Sequence, residues 1–302
     1  MKICIFDHVN KFTYDLIEHW KKQGHEVFKD RYLDPALVAK SDSVFFEFCD
    51  ISIQRGSDPN DSFYKDNPRS EGKNIIVRAH DIDLHTGNFR GVHWEWVNHL
   101  VFVGEHMKDK FLPQMDIPES VKVHVIPHGI NTKRFTFREK PKGNKIAWVG
   151  NINWPKSLNL ALQVLAENSE YELHVVGSSL DRWQKWYVDE FVKRNNLKFF
   201  YQPSVESIND FLDDKDFILL TSQKEAFSFA IGEGMAKGLK PLIHNFPGAE
   251  EVWPKKYIWN KVSEAKIMLE EDFRPREYKY YIDQTYPLSK NLEAYDKIIN
   301  PQ

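Results

Sequence analysis

Residues 216–244 read DFILLTSQKEAFSFAIGEGMAKGLKPLIH, and the order of their apolar and polar positions decides the fold. Phe217–Leu220 is a short, wholly apolar run, the pattern of a strand buried on both faces. A polar loop carrying Glu225 follows. From about Ser228 to Lys237 the small and apolar residues recur at helical spacing, and Leu239–His244 is a second apolar strand. Strand, loop, helix, strand is the unit of a parallel sheet covered by helices. Glu225 and Glu233 are eight apart, so the first sits at the mouth of the loop and the second about one turn into the helix. The backbone N–H groups of Phe227, Ser228 and Phe229 fall at the helix start, where such groups lack intrahelical acceptors and attract anions. An acidic side chain one turn in is placed to hold ribose hydroxyls while the N–H groups hold phosphates. That geometry suits a nucleoside diphosphate carrying a sugar.

The same alternation extends backwards through the second half of the chain. Strands are expected at IAWVG from Lys145, at Glu172–Val176 and at Leu197–Tyr201. Helices are expected at Leu158–Ala166, Asp181–Arg194 and Val205–Leu212. Trp183 and Trp186, three apart, read as one helix face packed on the sheet. FTFREKPKGN (135–144) is charged and holds Pro and Gly, the composition of an interdomain linker. The first half opens with a strand at Lys2–Phe6, a helix from Phe12 to Lys22 stopped by Gly24, and a strand at His25–Phe28. Apolar runs follow at Ser43–Phe48, Asn74–Arg78, Leu100–Val103 and Val121–Ile126. Residues 51–72, rich in Asp, Asn, Ser, Pro and Gly, read as a mobile loop or lid. The fold class is therefore α/β, with two doubly wound domains facing each other across a cleft. The expected limits are 1–135 for the first domain, 136–144 for the linker and 145–275 for the second. A tail and helix over 276–302 can pack back on the first domain. Ligands in such sheets bind at the carboxyl ends of the strands.

With 302 residues, 41% hydrophobic and 28% charged, the chain has a globular composition and length for two cores. A net charge of −3 excludes an overall basic footprint for nucleic acid. Cys4 and Cys49 lie in apolar runs and read as buried free thiols, as in a reducing cytoplasm. The start MKICIFDHVNKF is too short and too polar after Phe6 for a signal peptide. No apolar run approaches the roughly 20 residues of a membrane helix. His80, His85, His93 and His99 cluster without the spacing of a ligand set, so no metal is expected. The aromatic residues, 14% of the chain, chiefly pack cores, HWEW (93–96) included. Any remainder can dock on a membrane surface or stack on sugars.

EAFSFAIGEGMAKGLKPLI resembles the E-x7-E signature of retaining GT-B glycosyltransferases, especially the large family four (glycosyl transferases group 1). Three further segments fall in the family's order. NIIVRAHDID resembles the strand and His-containing loop late in the first, Rossmann-like domain. VHVIPHGINTKRF resembles "IPNGVDxxxF", and IAWVGNINWPKS resembles the phosphate loop "VGRxxxxKG". The resemblance implies that Glu233 binds the donor ribose and that Glu225 lies near the transferred sugar. It implies that the amides of Phe227, Ser228 and Phe229 hold the diphosphate and that Lys156, six residues after Gly150, is the phosphate lysine. His80 falls near the sugar on the acceptor side, and backbone around Gln202–Ser204 meets the nucleobase. His80, Glu225 and Lys156 are thus the catalytic candidates; Gly150, Asn151 and Ser204 join the donor-binding set. Asn151 and Ser157 stand where the family has arginine and glycine, and DHVNKF replaces its first glycine-rich loop. Arg194, Lys224 or Arg90 could supply the missing cation.

The activity so implied is metal-independent transfer of a hexosyl group, with retention, from a UDP- or GDP-sugar; no cofactor is expected. The departing diphosphate can take the acceptor proton, so no nucleophile–base triad is required, and none is seen. The acceptor is a glycan, a lipid-linked sugar or another hydroxyl compound; the acidic balance disfavours a nucleic-acid acceptor. Two other readings stay open: a nucleotide-sugar-binding protein without transfer, and an epimerase on the same frame.

Overall fold

A computed structural model of the protein describes residues 1–9, 12–57 and 72–300. The chain divides into two compact units, 1–129 with 289–302, and 130–288. The first unit runs β1 (Lys2–Phe6), α1 (Tyr14–Lys22), β2 (Glu26–Asp30), α2 (Pro35–Lys40), β3 (Ser43–Phe46), α3 (Ile51–Ser57), β4 (Asn74–Ala79), α4 (Asp81–Thr86), β5 (His99–Phe102), α5 (Glu105–Phe111) and β6 (Lys122–Val125). Its strands form one parallel sheet in the order β2-β1-β3-β4-β5-β6. All residues of β3 and β4 are buried, as their continuous apolar runs require of a sheet covered on both faces.

The second unit runs β7 (Lys145–Val149), α6 (Leu158–Ala166), β8 (Glu172–Val176), α7 (Arg182–Arg194), β9 (Lys198–Gln202), α8 (Ile208–Phe211), β10 (Phe217–Leu220), α9 (Phe229–Lys237), β11 (Lys240–His244), α10 (Ala249–Val252), β12 (Ile258–Trp259), α11 (Val262–Glu270) and α12 (Pro275–Thr285). Its sheet is also parallel, in the order β12-β11-β10-β7-β8-β9. The chain winds outward from β7 to β9, then returns to β10 and winds the other way. The strand order therefore reverses between β7 and β10, which makes the crevice beyond their carboxyl ends the place for a ligand.

The last helix, α13 (Leu288–Ile299), returns to the first unit. Tyr295, Ile298 and Ile299 are buried with Ile3, Ile5, Trp20 and Phe45, each large apolar side chain contributing about 1.5–3 kcal/mol. The helix's final carbonyls, which lack intrahelical donors, are met by side chains of the sheet. Asn74 Nδ2 donates to Ile298 O at 2.6 Å and Ser43 Oγ to Ile299 O at 2.9 Å.

Three local expectations change. Residues 51–57, expected in a loop, form α3, because Asp50 accepts the N–H of Ser52 at 2.8 Å and starts a helix; 58–71, the rest of the expected loop or lid, lie outside the described residues. The helix expected over Val205–Leu212 starts only at Ile208, where Ser207 Oγ accepts from Asp210 N at 3.1 Å. Trp183 and Trp186 do not pack on the sheet: they are exposed on α7. Among the described residues no helix is long and apolar enough to cross a membrane.

Candidate functional site

Helix α9 owes its position to its glycines and its cap. Ser228 Oγ accepts from Ile231 N at 3.4 Å, closing the first turn. Gly238, at φ 89°, ends the helix, and Leu239 N donates to Gly234 O at 2.9 Å. Gly234 lets the helix lie directly on β10: a Cβ there would stand 2.7 Å from Ile218 Cγ2. Phe227 is buried against Trp253 (ring centroids 5.3 Å) and Tyr286 (5.1 Å), anchoring the chain just before the cap. Glu233, half-buried, lies one turn into the helix.

The loop after β7 meets the loop after β10 at the reversal point. Trp148 Nε1 donates to Thr221 Oγ1 at 2.9 Å, and Thr221 Oγ1 donates to Lys156 O at 2.8 Å. Gln223 N donates to Pro155 O at 2.8 Å, and His244 Nδ1 donates to Ser222 O at 3.1 Å. These bonds bring Lys156 Nζ onto Glu225 Oε2 in an ion pair, and Ser222 Oγ donates to the same carboxylate at 3.1 Å. Both side chains are only partly exposed, so the pair is screened less than a surface one. Ser157 adopts φ 49° and ψ 57°, the left-handed conformation that glycine takes freely. Holding it with a side chain costs about 1–2 kcal/mol, retained where the loop must turn to present Lys156.

Gly150 sits beside the loop after β8. Gly150 N donates to Val176 O at 3.0 Å, and a Cβ on Gly177 would stand 2.1 Å from Gly150 O. Asn151 is exposed next to it. Ser204, after the edge strand β9, lies two strands from β7 and lines a separate cavity of about 580 Å³ with His174, Gln202 and Asp214. The structure thus brings Lys156 and Glu225 into contact, sets Ser228 and Glu233 in the first turns of the helix that follows Glu225, and places Gly150, Asn151 and Ser204 in the loops after β7 and β9, at the same end of the sheet. Arg194 stands in the last turn of α7, at the amino end of the strands, too far to replace the missing cation; it faces Glu190 at 3.8 Å.

His80 belongs to the first unit, at the carboxyl end of β4. Its ring is buried between Phe48 (4.5 Å between centroids) and Phe12 (4.8 Å), and Nε2 donates to Glu47 Oε1 at 2.6 Å. Arg78 grips the same carboxylate through Nε (3.0 Å) and Nη2 (2.5 Å) and reaches Tyr295 Oη on α13 at 3.0 Å. The Glu47 charge beside it keeps Arg78 firmly protonated despite burial. Asp83 accepts the N–H of His80 at 2.9 Å, and burial pushes the Asp83 carboxyl up to about 6. Glu47 and Arg78 escaped the sequence reading because they lie inside apolar strand runs; a charged pair in such runs was the available signal. Among the described residues no group of three or more His, Cys, Asp or Glu is arranged to hold a metal ion.

The fold is that of the two-domain GT-B glycosyltransferases. The lipopolysaccharide outer core galactosyltransferase WaaB superposes with a TM-score of 0.70 at 13% identity, over 99% of both chains. A glycosyltransferase from Rickettsia africae ESF-5 superposes at 0.67 and 14% identity, over 100% of this chain and 99% of that one. TarM superposes at 0.66 and 13% identity, over 86% of this chain but 55% of its own length. Residues 129–264 match the family model described as glycosyl transferases group 1, so the second unit is a group 1 glycosyl transferase domain. No curated relative matches the chain in sequence.

Proposed function

We propose that the protein is a retaining, metal-independent glycosyltransferase that moves a hexosyl group from a nucleotide sugar to an acceptor hydroxyl. The observation that carries the reading is the meeting of Lys156 and Glu225 at the strand-order reversal, beside the amino end of α9. When the sugar leaves, negative charge builds on the diphosphate. A lysine and a helix start in one crevice stabilise that charge, the helix contributing up to about 2 kcal/mol in a partly buried site. Binding the diphosphate exchanges the Lys156–Glu225 pair for a Lys156–phosphate contact and frees Glu225 for the transferred sugar. Glu233, one turn along α9, takes the ribose hydroxyls. Retention follows if the acceptor attacks from the leaving-group face and the phosphate takes its proton. The pneumococcal O-GlcNAc transferase GtfA, a structural neighbour at 12% identity and TM-score 0.62, is described in complex with UDP and GlcNAc. UDP is therefore the first donor nucleotide to try, with GDP beside it. A glycan or lipid-linked sugar fits as acceptor, and the two buried, unpaired cysteines suit a cytoplasmic enzyme.

The test is a thermal shift with UDP and GDP on wild type, Glu233→Ala and Lys156→Ala, followed by donor hydrolysis with a panel of nucleotide sugars. A melting shift in wild type that Glu233→Ala abolishes supports the site; a shift equal in all three proteins refutes it. Asn151, standing where the family has arginine, favours one second reading: donor binding without transfer. A full thermal shift with no sugar released from any donor or moved to any acceptor would select it.

A further inference from the structure

Helix α7 is turned the unexpected way round. Its buried side carries Val188, with Phe191 and Val192 packed on the core. At about 100° per residue, Trp183 and Trp186 fall on the opposite side, with Glu190 beside them and Arg182 and Lys193 along one flank. The two indoles are 73% and 63% exposed. A tryptophan buries roughly 150–250 Å² when it packs, so a helix that presents both to solvent forgoes a large stabilisation. Adjacent exposed apolar groups of this size mark a contact surface.

The charges beside the indoles indicate what that surface meets. The chain is acidic overall, at −3, yet α7 carries Arg182, Lys185, Lys193 and Arg194 against Asp189 and Glu190. Both of these acids face cations, Lys185 at 2.6 Å and Arg194 at 3.8 Å, and a third carboxylate, Asp181 at the cap, accepts from Trp183 N and Gln184 N at 2.8 Å. Arg182 and Lys193 have no ion-pair partner among the described residues, and the Arg182 guanidinium lies 5.9 Å from the Trp183 ring centroid. A sugar platform needs hydroxyl acceptors beside the ring, but here the carboxylates are engaged and the unpaired groups are cations. Indoles with un-neutralised cations beside them match the headgroup layer of a bilayer, where the ring sits at the interface and the cation meets lipid phosphate.

We propose that α7 docks the protein on an anionic lipid surface, with Trp183 and Trp186 entering the headgroup layer and Arg182 and Lys193 on lipid phosphates. The first turn of α7 follows the loop after β8, at the same end of the sheet as Lys156 and Glu225. Docking would therefore hold the donor crevice near the lipid. The proposal goes beyond the transferase reading, and its test uses no nucleotide.

The full-length protein is sedimented with phosphatidylcholine vesicles, with and without phosphatidylglycerol, and its emission is quenched with brominated phosphatidylcholine. Because the chain has nine tryptophans, the quenching is read as the difference between wild type and Trp183→Ser/Trp186→Ser. Wild type is expected to bind the anionic vesicles. The double serine variant and Arg182→Glu/Lys193→Glu should each lose about tenfold in vesicle affinity with unchanged melting temperatures. Vesicle binding equal in wild type and both variants, or none by wild type, overturns the proposal. So does an emission change with a soluble oligosaccharide but not with vesicles, or a concentration-dependent dimer that the serine variant abolishes; these would make the face a glycan platform or a protein interface.

Discussion

Two glycines of α9, two residues apart, allow a prediction in which most side effects cancel. Gly232→Ala and Gly234→Ala each gain about 1 kcal/mol of helix propensity and unfolded-state entropy. They differ in what the new methyl meets. At position 232 it would lie 2.6 Å from Ile130 Cγ1 and 2.7 Å from Cδ1, atoms of a buried side chain that is carried by a loop and not by a central strand, so backbone and side chain can shift together. At position 234 it would lie 2.7 Å from Ile218 Cγ2 and 2.8 Å from Ile218 Cβ. Ile218 is fully buried in β10, between β7 and β11, and its Cβ cannot retreat without the strand. Overpacking of this kind costs about 1–3 kcal/mol. Gly232→Ala should therefore stay within about 1 kcal/mol of wild type, and Gly234→Ala should fall below Gly232→Ala by about 1–2 kcal/mol. Urea unfolding midpoints of the two variants, measured side by side, give the difference directly. Gly234→Ala should also weaken the UDP-induced melting shift, because pushing α9 off β10 carries Ser228 with it. A Gly234→Ala protein as stable as Gly232→Ala would refute the claim that close contact with β10 positions the helix.

Two further outcomes concern the first unit. Arg78→Met should destabilise by about 3–5 kcal/mol in urea unfolding, because it strands the buried Glu47 carboxylate. Adding Glu47→Met should recover much of the loss, and a double variant no better than the single would show that packing, not charge, is the cause. Asp83 has a raised folded-state pKa, about 6 against 3.8. The native state thus holds the proton more tightly than the unfolded chain. Its contribution is full below about pH 4 and is lost as pH rises through about 6, a change on the order of 3 kcal/mol. Asp83→Asn should flatten the stability slope over that window; an unchanged slope would assign it to other groups.

The strand–helix step of the second unit was legible because its residues are local. Ser228, Glu233 and the strand before them lie within a single strand–helix step, where spacing fixes which end of the helix each residue occupies. The Lys156–Glu225 pair spans 69 residues, but the reversal of strand order puts their two loops side by side, so recognising a doubly wound sheet was enough to expect them close. Pro275 opens α12, as proline can at a first turn, where the sequence suggested only a tail leading to the last helix.

What stayed hidden has a common physical cause: periodicity reports that a helix has faces but not which face is buried. Trp183 and Trp186 at helical spacing look like a core stripe, and only the seating of Val188, Phe191 and Val192 on the sheet turns them outward. Glu47 and Arg78 show the converse. In sequence they read as charges that ought to be solvated, yet together they form an almost fully buried pair that also holds His80 and Tyr295. Neither residue is interpretable alone, since burying one charge without the other would cost several kcal/mol. The pairing is set by the adjacency of β3 and β4, which no local window contains. Local rules therefore located the amino end of one helix and its cap. The position of His80 depends instead on a network that closes only when the whole first sheet and α13 are assembled, so His80 should lose its place under any variant that loosens α13, even one far from the ring.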